Sequence, residues 1–449
     1  MEEILVILSN LVFIFLTFLV VKKSKSFVFA VGGALIYYWT LLAGLYIYFI
    51  FHLMNSGFYL RDVAWLMDVF HFSYNEFYFK AFLLYSLFSN LIMLTALIVL
   101  RKKKGIIIEK NNFIDDKKVF CFFSCLILFS LYPLWKAYNQ SENLYRGMSI
   151  LGKVDVSTGK IFDPIYNVSK SIFVLGAGFA GFYLSEISFY TKNVRKRLYL
   201  FLNFPTIILF LLILIFISSN SSILFGVLVF FCSSLFYMKK IKRLMYLFFV
   251  PIVILFISFC VRGNIFTLSK GVNFSDDSLG YVLRSIVFNG ESFAAHLSLY
   301  SILKNSMPIF FGKSFIYLIN SIIPRFIYDH GTFPIYNYYA NFLDLPKETG
   351  FTIHNASGWY LNFGTIGIVL GAIFFGLLWG GTYRMYEGSQ SSFYRDFFKN
   401  CFICLTAYLP LYLRGGPEGI KSLFIFCFFL PFLLSLCLKK SLTRSVSRQ

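Results

Sequence analysis

Residues 350–381 read GFTIHNASGWYLNFGTIGIVLGAIFFGLLWGG, and from Asn355 to Tyr383 the chain carries no Asp, Glu, Lys or Arg. About 20 apolar residues in a helix cross a bilayer, so this run is read as a membrane span covering 359–383. Its glycines come in pairs four apart, Gly367/Gly371 and Gly376/Gly380. That spacing lets two membrane helices approach closely.

The rest of the chain has the same character. Of its 449 residues 58% are hydrophobic and 14% charged, with a mean hydropathy of +0.71. A soluble globule would carry about a quarter charged residues. The expected fold is therefore an all-α, polytopic membrane protein. Apolar runs fall near 4–21, 27–50, 77–100, 119–135, 165–190, 198–217, 223–238, 244–261, 359–383, 397–412 and 421–438, which makes about 11 transmembrane helices. Alternate connections are strongly basic: Lys22 to Lys25, Arg101 to Lys118, Lys192 to Arg197, Lys239 to Arg243, Arg384 to Lys399 and Lys439 to Arg448. These hold most of the 41 Lys+Arg and define a cytoplasmic face, with the N-terminus outside and the C-terminus inside. The net charge of +20 is thereby topology, and no nucleic-acid partner is called for. The first run is followed by lysines rather than a small-residue cleavage site, so it reads as a retained helix.

The opposite face carries the long connections and all five histidines, His52, His71, His296, His330 and His354. The longest, 262–358, separates a membrane bundle (1–261) from the last spans (359–449). Within it, 281–304 and 309–323 look helical but too polar to span, so they are expected to be interfacial or re-entrant and to pack on protein. Six arginines lie on this face against the usual charge bias: Arg61, Arg146, Arg262, Arg284, Arg325 and Arg414. A guanidinium at that depth suits a phosphate, because it stays charged and donates two parallel hydrogen bonds; an arginine bound to ordinary headgroups is the plain alternative. Arg284 and Glu291 are seven residues apart and share a helical face with His296 nearby, fit either for orienting a sugar or for a solvated ion pair. His354 and Asn355 stand just ahead of the last long span, where the imidazole is a candidate general base.

Other patterns carry less. GAGFAG at 176–181 spells a dinucleotide fingerprint but lies inside an apolar run, where small residues serve helix packing. Cys401 and Cys404 likewise sit in an apolar run and read as packing. No acidic cluster with metal-ligand spacing stands out, so neither metal nor cofactor is expected.

Three passages resemble the Wzy-type O-antigen polymerases, the oligosaccharide repeat-unit polymerases: SFIYLINSIIPRFIYDHG (314–331), the NFG step at 362–364 leading into a Gly-rich span, and YLPLYLRGGPEG (408–419). His354-Asn355 also resembles the His-Asn pair of O-antigen ligases. The resemblance implies a glycosyltransferase C-like polymerase-ligase architecture in the bacterial inner membrane, with the active site in a large helical periplasmic loop. It implies an inverting, metal-independent transferase for lipopolysaccharide biosynthesis, which moves a growing glycan from undecaprenyl pyrophosphate to a lipid-linked repeat unit. Its partners would be that lipid-linked oligosaccharide, membrane lipids and a chain-length regulator protein. His354 is then the first choice for base and Glu291 the second, with Arg325 catalytic. Arg262, Arg284, Arg325, Arg414 and Tyr360 would bind pyrophosphate and glycan. A ligase, or an exporter or flippase of lipid-linked oligosaccharide, are the alternatives.

Overall fold

The computed structural model describes residues 2–53, 69–100, 112–140, 164–190, 199–216, 220–238, 291–320, 335–345 and 352–441. They are almost wholly helical. Among the described residues, six helices are long and apolar enough to cross a membrane: Ile4–Ser24, Glu76–Val99, Asp116–Trp135, Ser171–Ser188, Asn355–Gly388 and Pro417–Leu436. A seventh arises if the pair Val28–Thr40 and Leu42–Tyr48, bent by 48°, counts as one span. Of the remaining runs, 198–217 and 223–238 form shorter apolar helices, Phe204–Phe216 and Asn220–Tyr237. The run 397–412 lies in helix Ser392–Leu413, and 244–261 falls outside the described residues. The chain forms two compact units, one of Met1–Lys102, Leu255–Arg384 and Leu409–Leu423, the other of Lys103–Ile254, Met385–Tyr408 and Phe424–Gln449.

In the first unit the outward surface is apolar, as a lipid solvent requires. Helix Glu2–Ser24 exposes a broad apolar face that includes Ile4, Leu8, Leu11, Ile14, Phe15 and Phe18, and buries Val6, Phe13 and Val20. Inside, small residues set the approach of the helices. Gly376 and Gly380 lie against Ile92, Thr95 and Ala96 of helix Glu76–Val99, and Gly32 lies under the Trp379 indole. Phe29 packs edge-on to both Trp379 (4.6 Å) and Tyr383 (5.2 Å).

Thirty-four unbroken helical residues from Asn355 to Gly388 would be about 51 Å long, well beyond a hydrocarbon core of about 30 Å. The helix breaks instead at Phe363 (φ −141°) and Gly364 (φ 64°, ψ −148°). Residues 355–362 fold back on the span beyond the break, because a Cβ on Gly367 would overlap the Trp359 carbonyl and one on Gly371 the Trp359 indole. The first glycine pair therefore serves the return of its own chain, while the second meets another span. The end of the short helix is satisfied locally: the Phe310 N–H donates to Leu361 O (2.6 Å), and Asn362 donates to Gly358 O (2.8 Å) while accepting from Ser314 Oγ (3.0 Å).

The two ends of this unit differ. At one, Lys23 donates to Leu97 O (2.7 Å) and the Tyr383 hydroxyl to Ser24 O (2.6 Å), which brings the ends of three helices together. At the other, Lys304 donates to His71 O, and Tyr300 accepts from the Ser73 N–H (3.1 Å), which joins the start of helix Glu76–Val99 to helix Glu291–Lys304.

In the second unit, helix Asn220–Tyr237 meets helix Pro164–Tyr190 so closely that a Cβ on Gly181 would overlap Gly226 O, and one on Gly226 would press on Ala177 O. GAGFAG is thus a helix crossing. Cys232, Cys401, Cys404 and Cys427 are buried free thiols. Asn112–Ile114 pairs antiparallel with Lys439–Ser441, Asn112 opposite Ser441.

The break at Gly364 generates a test. Its φ and ψ belong to a region essentially reserved for glycine, where a side chain costs roughly 1–3 kcal/mol. Gly364→Ala should lower the thermal unfolding temperature in detergent, whereas Gly388→Ala, at a site with nothing within 4 Å, should leave it unchanged. Equal behaviour of the two variants would contradict the break.

Candidate functional site

Helix Glu291–Lys304, ESFAAHLSLYSILK, is too polar to face lipid, and every residue from Ser292 to Leu303 is buried. It lies on protein, so its polar groups must find partners there. The central partner is Tyr85 of helix Glu76–Val99. Its hydroxyl donates to Ala295 O (3.1 Å), lies 3.0 Å from Ser357 Oγ and 3.4 Å from Ser298 Oγ, and accepts from the Leu299 N–H (3.3 Å). Ser298 and Ser357 close the triangle at 2.8 Å. Three hydroxyls on three helical segments form one knot.

Two histidines rest on it. The Tyr85 ring stacks on His296 at 5.1 Å and meets His354 edge-on at 4.8 Å. His296 Nε2 is hydrogen-bonded to the Tyr78 hydroxyl (3.0 Å). Its Nδ1 has no hydrogen-bond partner, and the Thr40 backbone, at the end of helix Val28–Thr40, favours the protonated ring. His354 caps the returning helix: its Nδ1 accepts the Ala356 N–H (3.1 Å), the usual task of an N-cap side chain, and its own N–H donates to Ser298 Oγ (3.1 Å). With Nδ1 committed as an acceptor, a neutral His354 carries its proton on Nε2.

Asn355 ties the cap to the 414–419 loop, donating to Gly415 O (3.0 Å) and Gly416 O (3.4 Å), and Gly358 lies against Pro417. Glu418 of the same loop accepts the N–H of Ile335, the first residue of helix Ile335–Phe342. Two buried atoms at the cap stay without any hydrogen bond, His354 Nε2 and Asn355 Oδ1.

Burial pushes His296 down to about 4, against a partial pull from the Thr40 backbone, and burial together with nearby His296 pushes His354 down to about 3. Both rings are neutral at physiological pH. The site offers neutral donors, neutral acceptors and aromatic faces.

Of the residues singled out from sequence, His354 is at the centre, and His296 beside it. Arg414, partly exposed, directly precedes Gly415. Tyr360 is partly exposed on the returning helix. Glu291 is the first residue of its helix. Arg262, Arg284 and Arg325, with Arg61, Arg146 and His330, lie outside the described residues. Sequence reasoning missed Tyr85, Tyr78, Ser298, Ser357 and Glu418. Tyr85 had a signal: it leads a polar stripe, Ser86, Ser89 and Asn90, in an otherwise apolar span. Among the described residues no group of three or more His, Cys, Asp or Glu is placed to hold a metal.

No family model matches the chain, and no curated protein and no solved structure shows significant similarity to it.

The depressed histidines fix the sign of a pH effect. Both bind protons less readily in the folded chain than at the ordinary value of 6.5, so their contribution to stability is complete above about 6.5 and is lost as pH falls towards 4 and 3. The detergent-solubilised protein should therefore unfold at progressively lower temperature from pH 6.5 to pH 4, and His296→Gln should flatten that slope. A slope unchanged by the substitution would contradict the burial of a neutral ring.

Proposed function

We propose that this chain is a periplasmic-face glycosyltransferase of the O-antigen polymerase type, acting on undecaprenyl-pyrophosphate-linked oligosaccharides. The observation that carries the reading is a buried, neutral, aromatic-lined polar cluster in the first unit, nearer the start of helix Glu76–Val99, whose other end meets Lys23. Basic loops mark the cytoplasmic side, so the cluster belongs to the exterior leaflet of the inner membrane, the N-terminus to the periplasm and the C-terminus to the cytoplasm. About 11 spans complete this topology when the remaining apolar runs are counted. The resemblance in the NFG step and the Arg-Gly loop supports the same reading, since Gly364 makes the helix break and Gly415 and Gly416 receive Asn355.

In the proposed reaction a hydroxyl of the acceptor repeat unit attacks the anomeric carbon of the donor glycan from the face opposite the pyrophosphate. The new carbon–oxygen bond forms as the bond to pyrophosphate breaks, and undecaprenyl pyrophosphate leaves with the electron pair. Arg262, Arg325 and Arg414, with Arg284, supply cations for the developing negative charge. The proton of the attacking hydroxyl passes to Glu291, the second of the two bases expected from sequence, because His354 spends its basic nitrogen on the helix cap. Inversion at the anomeric carbon follows from a single displacement. Tyr360 stands for glycan contact on the returning helix.

Purified protein given undecaprenyl-pyrophosphate repeat units should produce a ladder of lengthened products, unchanged by EDTA, and Arg414→Ala should slow it at least about tenfold, as loss of one charge-assisted contact does. One transfer to a lipid A core without a ladder would indicate a ligase. Full-length polymer from Arg262→Ala, Arg325→Ala and Arg414→Ala alike would remove the basis of the proposal.

A further inference from the structure

Helix Lys313–Asn320, KSFIYLIN, presents two unlike faces. One is fastened to protein. The buried Ser314 hydroxyl donates to Asn362 Oδ1 (3.0 Å), the Phe315 ring meets Trp359 (5.2 Å between ring centres) and stacks on Phe363 (5.8 Å), and the helix lies against Pro417–Gly419. The other face carries Ile316 and Ile319, three residues apart and so neighbours on the helix, 53% and 65% exposed. The loop that leads in adds Phe311, 80% exposed, and Ile309. A single apolar side chain at a surface needs no explanation, but a large contiguous patch marks contact with a partner or a membrane.

The place of the patch names its occupant. Its loop is bolted to the helix break: the Phe310 N–H donates to Leu361 O (2.6 Å), a Cβ on Gly364 would lie 3.5 Å from Ile309 Cδ1, and a Cβ on Gly312 would lie 3.1 Å from the Phe363 ring. Position 312 is one turn before Ile316, so the apolar face of the short helix starts at Phe363. From Phe363, itself exposed, the surface continues into the span, where Ile366, Leu370, Ile373 and Leu377 are exposed at the spacing of one helical stripe. In a helix long and apolar enough to cross a membrane, such a stripe faces acyl chains. From Gly364 to Gly388 the helix is about 36 Å long and just crosses a hydrocarbon core of about 30 Å, which puts the break at the membrane surface. Lys313 is exposed at the first turn of the short helix, its amine 5.8 Å from the Phe310 ring centre. A lysine in that position lays its stem along apolar surface and keeps its charge among headgroups.

We propose that helix Lys313–Asn320 and loop 309–311 form an in-plane membrane anchor, with Phe311, Ile316 and Ile319 seated among the upper acyl chains of one leaflet and Lys313 at its headgroups. An amphipathic helix in this setting sinks its apolar face about 5–10 Å into the boundary between headgroups and chains. Through Ser314 and Phe315 the anchor holds the returning helix that His354 caps, so the leaflet sets the depth of that helix and of the hydroxyl cluster behind it. The inference goes beyond the proposed reaction and stands whatever the chain catalyses.

Tryptophan quenching in lipid vesicles reads the depth. Full-length protein carrying Ile316→Trp, with Phe311→Trp as a second probe should the first fail to fold, is reconstituted in phosphatidylcholine brominated either near the head or near the tail of its acyl chains. The wild-type emission from the chain's five tryptophans is subtracted. Leu377→Trp, about 20 Å along the span from Gly364 and so near the bilayer centre, is the reference. The anchor residue should lose more of its emission to head-end than to tail-end bromine, the reference should show the reverse order, and aqueous acrylamide should quench neither. Quenching of Ile316→Trp and Phe311→Trp by acrylamide alone would show a water-facing surface and overturn the proposal. Quenching by neither bromine nor acrylamide would mean that protein, a second copy included, covers the patch, and would overturn it too. Stronger quenching by tail-end bromine would place the helix too deep for an in-plane anchor. A reference quenched by neither lipid would remove the membrane-spanning reading of the helix, and the anchor with it.

Discussion

The requirement that polar groups removed from water find partners within the protein organises the first unit. Tyr85, Ser298 and Ser357 meet that requirement for one another, and through them three segments far apart in sequence are tied at one point. Helix Glu291–Lys304 is too polar for lipid and gains a place only because this knot receives it. The cap residue His354 is drawn in by its own N–H on Ser298. Take the knot away and the polar helix, the cap and the Gly-rich loop lose their common anchor.

The second device is the broken helix. A continuous helix from Asn355 would overshoot the bilayer; the φ of +64° at Gly364 turns the first eight residues back, and Gly367 and Gly371 make room for Trp359. The fold-back puts a helix start, with its unmet N–H groups, among the buried hydroxyls and histidines rather than in solvent. A histidine is an unusual N-cap. Its use here fixes the tautomer, and with it the ring nitrogen that carries the proton.

Much of this was legible in the chain. The long apolar runs foretold a helical architecture with helices fit to cross a membrane. The small residues of GAGFAG were readable as a crossing, because an apolar run leaves them no other task. His354 and Asn355 stood out as polar residues directly before a span. Two things were not legible. Gly367 and Gly371 have the spacing of a helix–helix crossing, and spacing says nothing of whether the other helix is the same chain returning. Tyr85 is one of 30 tyrosines in a chain where aromatic residues are 21% of the total, so the polar stripe beside it was an easily overlooked signal and its contacts are what single it out.

Since the account stands on the hydroxyl knot, removing one oxygen tests it most directly. Tyr85→Phe keeps the ring that stacks on His296 and deletes the group shared by Ala295 O, Leu299 N–H, Ser298 and Ser357. The thermal unfolding temperature of this variant in detergent, measured beside Tyr394→Phe at an exposed site, is predicted to drop by an amount matching about 1–3 kcal/mol for the buried groups left unpaired, with Tyr394→Phe unchanged. A Tyr85→Phe protein as stable as the wild type would contradict the account.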